Sequence, residues 1–423
     1  MIIKTIILCG GKGTRLGLKN CPKPMVSLNG KTLLEMTIEN LVKQGFTEIY
    51  LSVCHYHKKI MDYFGNGENF KCNIHYLYEE EPLGTAGVVY LNQELFPNDF
   101  LVIYGDLLLD IDWRRFSSIA KHKGGYGSLY VHPNDHPFDS DVVEVTETNE
   151  ISSIHLKPHP PKKIDCLPNL SSAAVYYLSS KVFEIKKLGV LDWTRDIFPD
   201  LIKKGKVYAY NGVEYVKDIG TPERLADALH DLKYDVPSRL NFQSKKPCVF
   251  LDRDGVINKD TGAILNTQGA VLLPEVAKAI KHLNIKKIPV FCVTNQAAIA
   301  KGKLTIKALS EIHKKITQLL AAENGSFINE FIFCPPHPEK GWAGEIPELK
   351  IDCDCRKPRP GMLNALMGKH NIDIHKSYMV GDRASDIHAA KNAGCKAILV
   401  RRNQIRKFDV CVEQETSCRN LYE

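Results

Sequence analysis

The sequence predicts an α/β protein of two domains, each organised around a mainly parallel sheet. Three observations carry this. The chain has 423 residues, more than one ordinary core accommodates. Short apolar runs alternate with amphipathic stretches along its whole length. The rhythm breaks once, at residues 234–247, a polar stretch with two prolines and a Lys-Lys pair, and a new apolar run follows at once. The expected division is therefore a domain over 1–233, a linker over 234–246 and a second domain over 247–423.

In the first half, strands are expected at 5–9, 48–53, 73–78 and 100–104, with a helix at 33–44. In the second half they are expected at 248–251, 290–294, 330–334, 377–380 and 397–400. Neither an internal repeat nor a low-complexity tract is visible. Residues 1–9 are short and apolar and run straight into glycines, so they read as a buried strand rather than a signal peptide. Apolar runs stay well short of the roughly 20 residues that a membrane-spanning helix needs. Thirteen cysteines, an odd number in a large chain, argue against a disulfide framework and for a reducing cytoplasm. The net charge of +7 is spread along the chain. It favours anionic substrates over nucleic acid, and it leaves homo-oligomerisation open.

Gly10-Gly11-Lys12-Gly13-Thr14-Arg15-Leu16 follows the first strand. Glycines there let backbone N–H groups approach an anion. Leu16 stands where a dinucleotide fingerprint needs its third glycine, and Met25 where a Walker A loop ending at Gly30-Lys31-Thr32 needs its first. A plain glycine-rich turn is the alternative. The context extends the signal: Cys21-Pro22-Lys23-Pro24-Met25, then Glu81-Pro82-Leu83-Gly84-Thr85-Ala86-Gly87, then Tyr104-Gly105-Asp106, then Val216-Lys217-Asp218-Ile219-Gly220-Thr221-Pro222-Glu223.

Together, in this order, these segments resemble the sugar-1-phosphate nucleotidyltransferases, with a Rossmann-like, GT-A-like sheet. In that chemistry a sugar 1-phosphate attacks the α-phosphorus of a nucleoside triphosphate and pyrophosphate leaves. Two polyanions must meet, so charge neutralisation dominates the barrier. The resemblance implies that Gly10, Gly11, Gly13 and Thr14 cradle phosphates, that Arg15 clamps the triphosphate and that Lys23 bridges the reacting groups. It further implies that Asp106 and Asp218 hold Mg²⁺ and that Gly84 and Thr85 line the nucleobase pocket. Lys157 would meet the sugar phosphate, although a solvated surface lysine is the alternative. Taken alone, Asp106 could equally be a turn residue and Asp218 a capping acid. The family's Asn-x-Gly in the sugar pocket is replaced by Ser172-Ala173-Ala174, which puts a methyl where glycine allowed close approach.

In the second half, Cys248-Val249-Phe250-Leu251-Asp252-Arg253-Asp254-Gly255 is an apolar strand ending in two acids with one residue between them. An EF-hand is excluded, because Gly255 is fourth and Ala263 twelfth. Val293-Thr294-Asn295-Gln296, Cys355-Arg356-Lys357-Pro358 and Gly381-Asp382-Arg383-Ala384-Ser385-Asp386 follow. The set resembles the haloacid dehalogenase superfamily of phosphatases, with their Rossmannoid sheet. By that resemblance Asp252 attacks phosphorus and Asp254 is the general acid and then base. Asp252, Asp254 and Asp382 gather Mg²⁺, while Asp386 orients that shell. Thr294, Asn295, Arg356 and Lys357 hold the phosphate.

Cys334-Pro335-Pro336-His337 and Cys353-Asp354-Cys355 read as a structural Zn²⁺ site, with buried thiols beside a surface histidine as the alternative. The zinc-loop branch resembles the histidinol-phosphate and heptose-bisphosphate phosphatases. Pro336 stands where that branch usually has its histidine, so His337 would reach the metal only with a shifted loop.

If both halves serve one pathway, the phosphatase delivers a sugar 1-phosphate. A heptose 1,7-bisphosphate meets that condition and histidinol phosphate does not. The expectation is a heptose-bisphosphate phosphatase fused to a heptose-1-phosphate guanylyltransferase, the base being open between guanine and another. Two alternatives stand beside it. One is a mannose-1-phosphate guanylyltransferase joined to a phosphatase of another small ester. The other is a regulatory scaffold that binds nucleotide without turnover.

Overall fold

The computed structural model describes residues 2–11, 21–159, 167–400 and 417–418. The chain forms two compact units, which are taken separately. The first comprises Met1–His132, Ser140–Lys157 and Leu170–Ser244.

Its sheet uses β1 (Lys4–Leu8), β2 (Glu48–Val53), β3 (Asn73–Tyr78) and β4 (Phe100–Tyr104). A short β5 (Leu107–Asp110) follows, and then β6 (Gly127–His132), β7 (Val142–Val145), β8 (Ile151–His155), β9 (Ser171–Leu178), β10 (Val207–Asn211) and β11 (Tyr215–Asp218). The main order is β8-β7-β9-β4-β1-β2-β3, with β6 paired to β9 and β10 to β6. β4, β1, β2 and β3 run parallel, whereas β9 runs antiparallel to β4, so the sheet is mixed rather than mainly parallel. Helix α1 (Leu33–Lys43) starts at a capping box, in which Thr32 Oγ1 accepts from Glu35 N and Glu35 from Thr32 N. It buries Leu34, Ile38 and Leu41 against the sheet.

The expected linker is not one. After α2 (Gly84–Leu91) and α3 (Pro222–Lys233), a short α4 (Val236–Leu240) buries Val236 and Leu240 against Leu28, Leu33, Leu108 and Ile219. Asn241 Nδ2 donates to Asp110 at 2.7 Å and Phe242 N to Glu214 at 3.1 Å. Burying each aliphatic side chain contributes about 1.5–3 kcal/mol. This fixes the segment on the first unit through Ser244.

β9 changes its register to β6 between Ser172 and Tyr176, and Ala174 within that bulge has φ +55°. An L-residue pays about 1–2 kcal/mol in this left-handed region. Ala174→Gly is therefore expected to stabilise the first unit by about 0.5–1 kcal/mol, read as a higher midpoint in its thermal unfolding. A lower midpoint would mean that the alanine methyl packs productively in the bulge.

The second unit comprises Lys245–Glu423 with Pro133–Asp139 and Pro158–Asn169, two segments that the sequence boundary assigned to the first domain. Gln318 Nε2 ties one of them in by donating to the Leu167 carbonyl at 2.9 Å. Its sheet contains β12 (Val249–Leu251), β13 (Val290–Asn295), β14 (Glu330–Cys334), β15 (Tyr378–Gly381), β16 (Lys396–Val400) and β17 (Ser417–Cys418). All pairings are parallel, in the order β14-β13-β12-β15-β16-β17. The first strand therefore has its successor on one side and β15 on the other. Such a switch point leaves a crevice outside the C-terminal strand ends.

Candidate active sites

In the first unit the site forms beyond the ends of β1 and β4. Cys9 N still donates to Ser52 O at 2.9 Å, so Gly10 and Gly11 leave the sheet from a pinned base. Gly105 packs so tightly that a Cβ there would lie 2.8 Å from the Leu8 carbonyl oxygen. This close approach sets Asp106 beside β1. Lys23 Nζ meets Asp106 Oδ2 at 2.9 Å, with the lysine side chain 12% exposed.

β5 and β11 pair antiparallel with Asp218 opposite Leu107, and Ile219 N donates to the Asp106 carbonyl at 3.1 Å. The two acids thus share one end of this ribbon. Asp218 accepts from Arg224 at 2.5 Å through one oxygen, while its Oδ1 is buried without a hydrogen-bond partner. A buried, uncompensated carboxylate oxygen next to a second acid suits a hard divalent cation.

Gly84 has φ +79°, and a Cβ on it would collide with the Leu191 carbonyl. Thr85 Oγ1 donates to Asp192 at 2.7 Å and accepts from Trp193 N at 3.1 Å. Its hydroxyl is thus occupied in locking this loop to 191–193. Lys157 is exposed, and its backbone N–H donates to Asp141 at 3.0 Å. Gly13, Thr14 and Arg15 lie outside the described residues.

Glu79 was not singled out from the sequence. It is buried beside Gly10, accepting from Ser52 Oγ at 2.6 Å and Leu83 N at 2.8 Å. An acid opening a Glu-Glu-Glu run looks solvated, and only the fold turns it inward.

In the second unit Asp252 follows β12, Thr294 and Asn295 end β13, and Asp382 follows β15. Asp252, Asp382 and Asp386 bring carboxylate oxygens within 4.8 Å of one another. Lys357 Nζ, fully enclosed, lies 2.5 Å from Asp252 and 2.7 Å from Asp386, and it also donates to the Val293 carbonyl at 2.8 Å. Burial pushes the Asp252 carboxyl upward against the pull of Lys357. Burial, then the Asp386 charge, raises Asp382 to about 6. Burial lowers Lys357, but Asp252 and Asp386 outweigh it and hold the ammonium charged. Asp382 Oδ1 is buried without a hydrogen-bond partner, and a Cβ at Gly255 would fall on the Asp382 carboxylate. Three acids crowded around one ammonium fit a divalent cation.

The geometry redistributes several expected roles. Asp386 joins the carboxylate cluster, whereas the Asp254 carboxylate stands outside it. Arg253, itself fully buried, grips Asp254 through Nε at 3.0 Å and a terminal nitrogen at 2.8 Å. Asn258 and Gln296 also donate to Asp254, at 2.9 and 3.3 Å. Asn295 exchanges reciprocal bonds with the Lys357 backbone at 3.0 and 3.1 Å, so it positions the lysine. Thr294 Oγ1 accepts from Gln296 at 2.9 Å. Arg356 donates to the Pro336 carbonyl at 3.3 Å, bracing the cysteine loop.

The Sγ atoms of Cys334, Cys353 and Cys355 lie 2.8–3.3 Å apart. His337 is not part of that group among the described residues: its Nε2 lies 3.8 Å from Glu339 and its buried Nδ1 has no hydrogen-bond partner.

A crevice of about 310 Å³ opens over Asp252, Asp254, Lys357 and Asp386. The two constellations define a bifunctional enzyme, a nucleotidyltransferase and a phosphatase. Residues 4–234 match the profile of the nucleotidyl transferase family, and residues 354–416 match that described as HAD-hydrolase-like. A D-glycero-D-manno-heptose-1,7-bisphosphate 7-phosphatase of Thermosynechococcus vestitus is 38% identical over 158 residues, 37% of this chain and 79% of that protein. The bifunctional protein GlmU of Methanococcus maripaludis is 31% identical over 283 residues, 64% of this chain but only 60% of that protein. The crystal structure of HddC from Yersinia pseudotuberculosis superimposes with a TM-score of 0.47 at 25% identity, over 55% of this chain and all of that one. The chain belongs to the nucleotidyl transferase family through its first half and to the family of the heptose-bisphosphate phosphatase through its second.

Proposed function

We propose that the second unit removes the 7-phosphate of D-glycero-D-manno-heptose 1,7-bisphosphate, and that the first transfers a nucleotidyl group, GMP from GTP, to the resulting heptose 1-phosphate. The observation that carries this is the Asp252–Lys357–Asp386 constellation at the switch point of a phosphatase-family sheet. Asp252 attacks phosphorus while Asp254 protonates the leaving alkoxide. Asp254 then takes a proton from the water that opens the aspartyl phosphate. Mg²⁺, for which Asp252, Asp382 and Asp386 supply donors, would offset the repulsion between carboxylate and phosphate.

In the first unit a heptose 1-phosphate oxygen attacks the α-phosphorus of the triphosphate and pyrophosphate departs. Lys23 neutralises the reacting phosphates, Arg15 clamps the triphosphate, and Asp106 and Asp218 supply Mg²⁺ donors. A cytoplasmic setting fits the cysteine usage, since ten of the described cysteines stand outside any disulfide. No helix among the described residues is long and apolar enough to cross a membrane.

The order is phosphatase first: the phosphatase takes the bisphosphate and delivers the heptose 1-phosphate that the transferase consumes. Given the bisphosphate, GTP and Mg²⁺, the chain should release phosphate and then pyrophosphate, with heptose 1-phosphate seen by mass spectrometry. Accumulation of a nucleotide-linked heptose that still carries its 7-phosphate would refute the order. ATP, CTP or UTP outperforming GTP would refute the base.

Zinc is the fitting occupant of the cysteine cluster, because three sulfurs converge within 2.8–3.3 Å of one another and thiolates are the ligands that structural zinc takes. About one zinc per chain is expected by metal analysis, and structural zinc contributes on the order of 10 kcal/mol to folding. Fully active protein without zinc would end this assignment. Unchanged zinc in His337→Ala would place the fourth ligand elsewhere.

A further inference from the structure

Arg253 stands in the chain between the two acids Asp252 and Asp254, and its side chain is 1% exposed. A buried guanidinium is costly unless its donors are met. Its Nε and one terminal nitrogen go to the two oxygens of Asp254, at 3.0 and 2.8 Å. The other terminal nitrogen points to His313 Nε2 at 3.4 Å. His313 lies on α5 (Ile306–Asn324), and its ring stacks on Phe331 of β14 with the centroids 4.7 Å apart. A guanidinium only donates, so Nε2 is assigned as the acceptor and the ring proton to Nδ1. Burial, then the Arg253 charge, holds this ring well below the usual histidine range and so uncharged.

The turn that follows supplies a further donor. Ile257 N and Asn258 N both donate to the Arg253 carbonyl, at 2.9 and 3.0 Å, and Gly255 N donates to the Asn258 carbonyl at 2.8 Å. This folds the fully buried Asn258 back, and its Nδ2 donates to Asp254 Oδ1 at 2.9 Å. Asp254 Oδ1 thus accepts from Arg253 and Asn258, and Oδ2 from Arg253 and, at 3.3 Å, from Gln296. A carboxylate has about four acceptor positions, and these donors fill them. Of the three donor residues, Gln296 is the one that lines the crevice beside Asp254. Its contact is the longest, and its amide also bonds Thr294 Oγ1 at 2.9 Å.

We propose that Arg253, backed by His313 and aided by Asn258, is the positioning residue for the general acid. It fixes the plane of the Asp254 carboxyl so that the Oδ2 edge faces the crevice, and Gln296 stands where the departing sugar oxygen goes. In that step the bond from Asp252 to phosphorus forms and the bond from phosphorus to the sugar oxygen breaks. The proton on Asp254 Oδ2 passes to that oxygen. This rests on the phosphatase reading above, and it adds the residues that act through Asp254. Misdirecting the carboxyl costs most where the leaving group needs the proton.

The test measures kcat/KM, which covers the steps through the first phosphoryl transfer, on two substrates of the full chain. Heptose 1,7-bisphosphate releases an alkoxide that needs a proton, and p-nitrophenyl phosphate a phenolate that does not. Arg253→Gln should lower the first roughly hundredfold and the second by less than about threefold. Arg253→Lys should fall in between, because an ammonium cannot span both oxygens. His313→Phe, which leaves Asp254 untouched, should show the same imbalance at about fivefold. Unchanged bisphosphate turnover in Arg253→Gln overturns the proposal. If Arg253→Gln loses both activities alike, His313→Phe decides: a selective loss upholds the proposal, and an equal or absent loss overturns it, because the pair then only supports the fold. If the unmodified chain cleaves p-nitrophenyl phosphate and not the bisphosphate, the substrate reading fails by itself, and phenyl phosphate takes the bisphosphate's place in the comparison.

Discussion

Asp252→Asn is expected to abolish phosphate release from the bisphosphate, lowering kcat by about ten-thousandfold or more, as removal of a covalent nucleophile does. The amide keeps the shape of the carboxylate and lacks its nucleophilic charge. The fold should survive, because Lys357 keeps Asp386 at 2.7 Å and the Val293 carbonyl at 2.8 Å. One of three crowded acids becomes neutral, which relieves repulsion that burial had magnified. Nucleotidyl transfer from added heptose 1-phosphate should persist, since every group proposed for it lies in the first unit. Loss of both activities in a folded variant would contradict two independent sites. Retained phosphate release would remove Asp252 from the nucleophile's role.

The residues legible in the sequence share a local signature. Asp252, Asp106 and Asp382 each follow an apolar run with glycine nearby, so strand end and functional acid are read in one segment. Lys357 and Lys23 stand instead in short proline-containing motifs, Cys355-Arg356-Lys357-Pro358 and Cys21-Pro22-Lys23-Pro24. The roles that shifted depend on partners far along the chain. Asn295 serves the Lys357 backbone 62 positions away, and Thr85 serves Asp192 107 positions away. No local pattern encodes such pairings. Arg253 looked like a spacer between two acids, but its burial and its grip on Asp254 exist only once the second unit has folded. The same holds for α4, where three buried residues, one of them a proline, in a five-residue helix are too few to show a period. Strand direction was also hidden, because the apolar run of β9 reads alike whether it pairs parallel or antiparallel to β4.

Asp106→Ala tests the other half. Pyrophosphate release should fall by roughly a thousandfold, the scale on which removal of a charge-stabilising group acts at a reacting phosphate. Two losses combine. The cation site keeps only the Asp218 carboxylate, and the Lys23 ammonium, 12% exposed, loses its partner at 2.9 Å and with it a fixed position. The backbone should hold, because the Asp106 carbonyl still accepts from Ile219 N and the close packing of Gly105 on Leu8 is untouched. Phosphate release from the bisphosphate should continue, so heptose 1-phosphate should accumulate. Raising Mg²⁺ should recover part of the lost rate if the acid binds the cation, and none if it only positions Lys23. Transfer at the unmodified rate would show that neither role belongs to Asp106, and the site would have to be sought away from the β4 terminus.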